Sequence, residues 1–377
     1  MLPVDDTLTA DTAYRLACEG TALLWRGDYQ NARQLLAAMS RRLDRSRERR
    51  LRPSASDPDA AAHARAGFNR HRQWQAHRAR VLGSLLIPMS DDYRIELRRA
   101  PDVAAACRGA WGEAPAGDAQ AAGSGCVVAL RELLGIVGAW EWRRRGIPIE
   151  SLGEPPDNRI HPHYGVFAPT RSDYLQLLAQ AAFPAQEAPE LAIDVGTGTG
   201  VLAAMLARRG VARILATEVD PRALACAREN LSRLGLLDRV QVQAVDMFPP
   251  VRAPLVVCNP PWIPARPGVP LERAIYDEGG RMLSTFLAGL ADHLAPNGQG
   301  WLILSDLAER LGLRTRTDLL TAIDHAGLHV IDRSDIRARH PKAADPTDPL
   351  HDARSGEIVS LWRLAARTAD FSGEGQA

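Results

Sequence analysis

The sequence predicts an α/β protein with a parallel-based sheet of seven strands, preceded by a mainly helical N-terminal domain. Two observations carry this. From about residue 191 onward, short apolar runs alternate with segments of helical periodicity, the signature of strands joined by helical crossovers. Residues 1 to about 110 instead show apolar positions at helical spacing, as at Leu16, Leu23, Leu24, Leu35 and Leu36.

Taken in order, the first helical stretch covers DTAYRLACEGTALLWRGDYQNARQLLAAMSRRLDRSRERR. SASDPD (54–59) reads as a loop, and WGEAPAGDAQAAGSG (111–125) as a longer one rich in Gly, Ala and Pro. A helix is expected over 127–145. It is the longest apolar candidate, but Arg131 and Glu132 interrupt it, so a buried helix and not a membrane span is predicted. GEPPDN (153–158) breaks the chain and places the domain boundary: 1–155 helical, 156–368 α/β, and 369–377 a loose tail. The strands are then LAIDV, ILATEV, VQVQAV, LVVCN, WLILS, LHVIDRS and EIVSLWRL. Helices are predicted at VLAAMLARR, PRALACARENLSRL, near 281–294 and near 317–326. Right-handed crossovers put the C-terminal ends of the parallel strands on one edge, where ligands bind in such sheets.

Composition is that of an ordinary globular chain: 377 residues, 46% hydrophobic, 24% charged, net charge +1. The opening MLPVDDTLTA has two aspartates and no apolar core, so no secretory signal is expected. Cys18, Cys107, Cys126, Cys226 and Cys258 are scattered, which argues against disulfides and against a cysteine-rich metal site; a cytoplasmic protein is expected. Only Lys342 among the 46 basic residues is a lysine. That bias lowers the weight of any arginine cluster, including RRLDRSRERRLR (41–52), where Asp44 and Glu48 stand at the spacing of a solvated helix.

Four strand ends carry the chemistry. The first is DVGTGTG (194–200). Its glycines at 196, 198 and 200 let backbone approach a ligand and open the next helix. The Gly-Lys-Ser/Thr of a P-loop is absent, and Val201 stands where a dinucleotide fingerprint needs Gly or Ala, which disfavours an oxidoreductase. The second strand ends at Glu218, before Val219, with Asp220 and Pro221 suited to the N-cap and first turn of a helix. A carboxylate there can take both hydroxyls of a ribose, or simply favour the helix dipole. The third ends at Asp246, followed by Met247 and Phe248: an acceptor beside apolar walls, suited to a purine amine, or a plain turn aspartate. The fourth ends in NPPW, Asn259 to Trp262, where prolines forbid continuation of the ladder.

In this order the four elements resemble a class I S-adenosylmethionine-dependent methyltransferase, whose fold is a Rossmann-like seven-stranded mixed sheet. NPPW resembles the branch that methylates amide and amino nitrogens: the HemK-type glutamine methyltransferases of release factors and the "methyltransferase small" ribosomal RNA guanine-N2 enzymes. The resemblance implies that Asp194, Gly196, Thr197, Gly198 and Gly200 hold the methionine part of S-adenosyl-L-methionine. It implies that Glu218 with Val219 takes the ribose, that Asp246 with Met247 takes the adenine, and that Asn259 also borders the cofactor. It makes Asn259, Pro260, Pro261 and Trp262 the catalytic element, where family members usually carry Tyr or Phe in place of Trp262. Upstream, HPHYGVFAPTRSDYLQLL (161–178) resembles the pocket-lining segment of this branch. Phe167, Thr170 and Arg171, with Trp262, are its expected substrate contacts. Thr170 and Asp173 read as a capping box, and His161 and His163 as solvated residues without metal.

Residues 1–150 hold 23 arginines against 18 carboxylates, a net of +5, and the remainder is −4. The N-terminal domain is therefore expected to select the acceptor, a release-factor-like protein or an RNA. The polar loop 337–356 is expected to help it. A module that keeps the fold without catalysis is the rival class, and intact Asn259, Pro260 and Pro261 speak against it.

Overall fold

The computed structural model describes residues 1–50, 60–113, 125–267, 272, 275–339 and 341–367, and divides into two compact units, Met1–Arg145 and Gly146–Ala377. The loop read at 54–59, the tail at 369–377, Leu51 and Arg52 of the arginine run, and 114–124 of the second loop lie outside the described residues.

The first unit consists of β1 (Leu2–Val4), α1 (Ala10–Cys18), β2 (Leu23–Trp25), α2 (Tyr29–Arg50), α3 (Ala60–Gly83), β3 (Leu85–Met89), α4 (Ala104–Trp111), β4 (Cys126–Ala129) and α5 (Leu130–Arg145). Helices dominate, as the periodicity predicts. The difference is a four-stranded sheet in the order β1-β2-β3-β4. The helix expected over 127–145 begins only at Leu130, because 126–129 pair antiparallel with β3. Each strand is three to five residues long, too short for a period of two to show. Their burial comes from packing: Leu23, Trp25, Leu85 and Ile87 join Met39, Leu43 and Leu133 in one core. Within the arginine run, Arg42 pairs with Asp11 and Asp44 lies 3.6 Å from Arg78.

The second unit opens with a small ladder, β5 (Ile147–Pro148) against β6 (Arg159–Ile160). There follow α6 (Asp173–Gln180), β7 (Leu191–Val195), α7 (Val201–Arg208), β8 (Arg213–Glu218), α8 (Pro221–Arg233), β9 (Val240–Ala244), β10 (Ala253–Cys258), α9 (Arg281–His293), β11 (Leu294–Ser305), α10 (Leu307–Arg310), α11 (Arg316–His325), β12 (Leu328–Arg337), α12 (His351–Ser355) and β13 (Ile358–Ala366). The sheet order is β12-β13-β11-β10-β7-β8-β9, with β13 antiparallel to both neighbours and the rest parallel. All seven predicted strands are present, in the Rossmann-like mixed sheet the sequence predicts.

The inner strands β7, β8, β10 and β11 read as near-continuous apolar runs because both faces are covered. Ala192, Ile214, Leu255, Val257, Trp301 and Ile303 pack on one side with α6 and α7. Their neighbours Ile193, Leu215, Val256, Leu302 and Trp362 pack on the other with α9 and α11. Helix starts follow local chemistry. Asp220 caps α8 by accepting from the Arg222 and Ala223 amides, with Pro221 in the first turn. Thr315 and Asp318 form a reciprocal capping box on α11. No helix among the described residues is long and apolar enough to cross a membrane.

Candidate active site

Strand register sets the site. Val195 of β7 is paired with Thr217 of β8 and with Cys258 of β10, and Glu218 pairs with Ala244 of β9. The residues that follow these ends therefore emerge on one edge: the glycine loop after β7, Val219 after β8, Asp246 after β9, Asn259 after β10.

The glycine loop is bound to its neighbour strand. Gly196 and Thr197 amides both donate to the Thr217 carbonyl, at 3.0 and 2.9 Å, and the Gly198 amide donates to Glu218 Oε2 at 3.1 Å. Gly196, Gly198 and Gly200 have φ of 71°, 56° and 81°, a region that costs a side chain strain. At Gly196 a Cβ would stand 2.5 Å from Met282 Cε, so the loop is a cradle that a larger residue would fill. Gly200 forms the N-terminus of α7.

Asp194 is turned inward. It is 1% exposed, and its Oδ2 accepts from Thr197 Oγ1 at 2.6 Å and from the Ala203 amide at 3.1 Å. It braces the loop and the first turn of α7 from within. Burial pushes its pKa up to about 6; the two hydrogen bonds oppose that and the Glu218 charge adds to it. The folded chain thus holds this proton more tightly than the unfolded one, where Asp titrates near ~3.9. The stability this provides is fully present below about pH 4 and is lost as pH rises to about 6, on the order of 3 kcal/mol. Asp194→Asn keeps an oxygen for both donors and removes the titration. Its melting temperature should rise relative to the parent through that window, and parallel pH profiles would overturn the assignment.

Glu218 is not free, as its place at the strand tip suggests, but held: Oε1 accepts from the Val219 and Asp220 amides at 2.7 and 3.0 Å, beside the Gly198 contact. Val219 is 60% exposed, a bare apolar surface at the same tip. Asp246 is exposed, and Met247 takes φ 61° with its carbonyl accepting from Thr217 Oγ1 at 2.6 Å. Phe248 stacks on both Phe286 and His293.

At the end of β10, Trp262 Nε1 donates to Asn259 Oδ1 at 2.9 Å. Pro260 is buried; Asn259, Pro261 and Trp262 are half-buried. The Arg171 guanidinium lies over the Trp262 ring, 4.9 Å from its centroid, and Tyr174 meets that ring edge-on at 6.5 Å. Phe167 tilts against Tyr174. Of the residues expected to contact substrate, Phe167, Arg171 and Trp262 are thus gathered here, while Thr170 is exposed.

Two expectations on the upstream segment need correction. Thr170 does not cap α6. The N-cap position is Ser172, which makes no side-chain cap bond, and Asp173 is drawn into an ion pair. Arg171 makes that pair, with both Asp173 (2.7 Å) and Glu357 (3.1 Å), whose side chains are 0% and 2% exposed. Glu357 in turn accepts from Ser305 Oγ at 2.7 Å, and Asp173 from the Arg339 amide at 3.3 Å. His163 Nε2 lies 2.7 Å from Glu229, and the His161 amide donates to Asn230; both belong to the packing of α8.

Sequence reasoning missed Asp173, Glu357 and Tyr174. An acid opening the apolar run EIVSLW was the one available signal. The Tyr174 hydroxyl is buried without a hydrogen-bond partner among the described residues. Burial raises its pKa far above the ordinary phenol range, so it remains a donor.

Residues 157–310 match the family described as Methyltransferase small domain. A release factor glutamine methyltransferase of Cereibacter sphaeroides is 33% identical over 168 residues, 41% of this chain and 59% of the relative. One from Moorella thermoacetica is 36% identical over 157 residues, 36% of this chain and 54% of the relative. A tRNA1(Val) (adenine(37)-N6)-methyltransferase of Bacteroides thetaiotaomicron is 32% identical over 127 residues, covering 32% and 54%. The chain therefore spans between 54 and 59% of the length of these relatives. The glycine loop, Glu218, Asp246 and NPPW all fall inside the segment that matches this family.

Proposed function

We propose that this chain is an S-adenosylmethionine-dependent N-methyltransferase whose acceptor is a planar amide or amino nitrogen, on a protein glutamine or an RNA base. The observation that carries this is Asn259-Pro260-Pro261-Trp262 at the tip of β10, one strand from a glycine cradle. The release factor and tRNA relatives support the two acceptor classes. The RNA-modifying relative is named for adenine N6, which does not favour the guanine-N2 alternative.

The residues fit the cofactor. The left-handed glycines leave room for it, Glu218 and Val219 offer a fixed carboxylate and an apolar surface, and Asp246 stands exposed beside Met247. When bound, S-adenosylmethionine supplies a methyl group on a sulfonium. The rest of the work falls to the chain. An amide or aryl NH2 has its lone pair delocalised and is a poor nucleophile. Asn259 Oδ1, through its second lone pair, and the Pro260 carbonyl accept its two N–H bonds and turn the lone pair toward the methyl. Proline fixes the backbone that carries the carbonyl. As positive charge develops on nitrogen both hydrogen bonds strengthen, so they favour the transition state over the ground state. Trp262 and Phe167 exclude water from the acceptor. Acceptor choice falls to the net-positive first unit and to the segment between β12 and β13.

Glu218→Ala should weaken cofactor binding by ~1.5–3 kcal/mol, the worth of hydrogen bonds to a charged group; calorimetry showing unchanged affinity would refute the ribose role. The whole reading is tested by adding methyl-labelled cofactor and purified protein to extract from a deletion strain. Label in a protein band or in RNA fixes the acceptor class; no label in any fraction overturns the reading.

A further inference from the structure

Trp262 has a second task besides facing the acceptor. The indole Nε1–H is a donor and nothing else. The end of the Asn259 amide that meets it must therefore be the oxygen, and the structure has Nε1 2.9 Å from Oδ1. An amide left to itself can turn its oxygen and its NH2 group end for end, and the two are nearly isosteric. Only the oxygen can accept an N–H from an NH2 acceptor. Phenylalanine at this position offers no such donor, and a tyrosine hydroxyl both donates and accepts, so it does not dictate which end it meets.

The indole is itself held. Arg171 covers one face of its ring, and this guanidinium is fixed by two buried carboxylates, Asp173 and Glu357. Asp173 opens α6 and Glu357 stands at the start of β13, 186 residues from Arg171. Their side chains and that of Arg171, which is 15% exposed, have little room to rearrange. Tyr174 meets the ring in a T-shaped contact.

We propose that Arg171 and Trp262 are positioning residues: Arg171, clamped by Asp173 and Glu357, holds the indole so that its N–H locks Asn259 with Oδ1 presented to the acceptor. The idea rests on the methyl-transfer reading for its purpose, but the lock itself is a property of the chain.

Two measurements test it. In 15N-labelled protein, the Trp262 indole N–H is assigned by its loss in Trp262→Phe, and its solvent exchange is compared with that of Trp142, which is 52% exposed. Exchange at least about tenfold slower than Trp142 is expected, moving toward the Trp142 rate in Arg171→Lys, because an ammonium cannot reproduce a stacked, two-carboxylate guanidinium. Equal rates for the two indoles in the parent would overturn the lock, and an unchanged rate in Arg171→Lys would remove Arg171 from it. On the acceptor found by labelling, Trp262→Phe and Arg171→Lys should each lower kcat about tenfold with KM nearly unchanged. A rise in KM at constant kcat would show that Trp262 only binds the acceptor. If no acceptor takes label, the methyl-transfer reading fails, while the exchange rates still decide whether the indole locks the amide. Should either variant fail to fold, the parent comparison alone decides.

Discussion

Asn259→Ala is expected to bind S-adenosylmethionine as the parent does and to lose about 10²–10³ in turnover, the scale for removing one preorganised transition-state contact. The expectation comes from where the side chain sits. Asn259 follows Cys258, and its recorded side-chain bond is to Trp262. The glycine loop is held by Thr217 and Glu218, and Asp194 by Thr197 and Ala203. Truncation at 259 therefore leaves the cradle intact. It removes the oxygen that accepts the N–H of the nucleophile, and it leaves a half-buried indole N–H that water can satisfy, so folding should be little affected. Titration calorimetry for the cofactor and single-turnover labelling for the methyl group separate the two effects. A variant that transfers at the parental rate would take Asn259 out of the reaction. One that no longer binds cofactor would make it a cofactor ligand first.

The parts of this arrangement visible in the sequence are those that repeat along the chain. β7 and β10 are buried on two faces, so LAIDV and LVVC stand out from the amphipathic helices around them, and the parallel register brings Gly196, Glu218, Asp246 and Asn259 to one edge without further information. Interactions that depend on distant residues were hidden. Asp173 stands three residues after Thr170, a spacing that suggests a capping box, yet its partner is Arg171, whose other carboxylate, Glu357, stands just before β13. Local spacing points to a cap because the carboxylate that completes the cluster, Glu357, lies 186 residues from Arg171. Glu218 reads as a free carboxylate; three backbone amides that the chain folds around it are invisible to any pattern. In the first unit LLW and LLIPM carry too few residues to betray a strand, and they are strands because parallel neighbours pair with them.

Arg171→Ala should destabilise the second unit by about 3–5 kcal/mol, the usual cost of stripping one partner from a buried ion pair. Among the described residues Arg171 is the cation paired with both Asp173 and Glu357, and both carboxylates are almost wholly out of water. Each keeps some support after the loss: Asp173 from the Tyr174 and Arg339 amides, Glu357 from Ser305 Oγ. Those bonds soften the penalty without cancelling two adjacent negative charges. Calorimetry should show the melting transition of this unit falling by about 10 °C, at roughly 2–4 °C per kcal/mol for a domain of this size. Adding Glu357→Gln to Arg171→Ala removes one of the two stranded charges while keeping an oxygen for Ser305, and should recover part of the loss. If Arg171→Ala costs less than about 1 kcal/mol, the pair is solvated in solution and the clamp on Trp262 goes with it. If the double variant is no better than the single, the penalty comes from lost packing against the indole and not from buried charge.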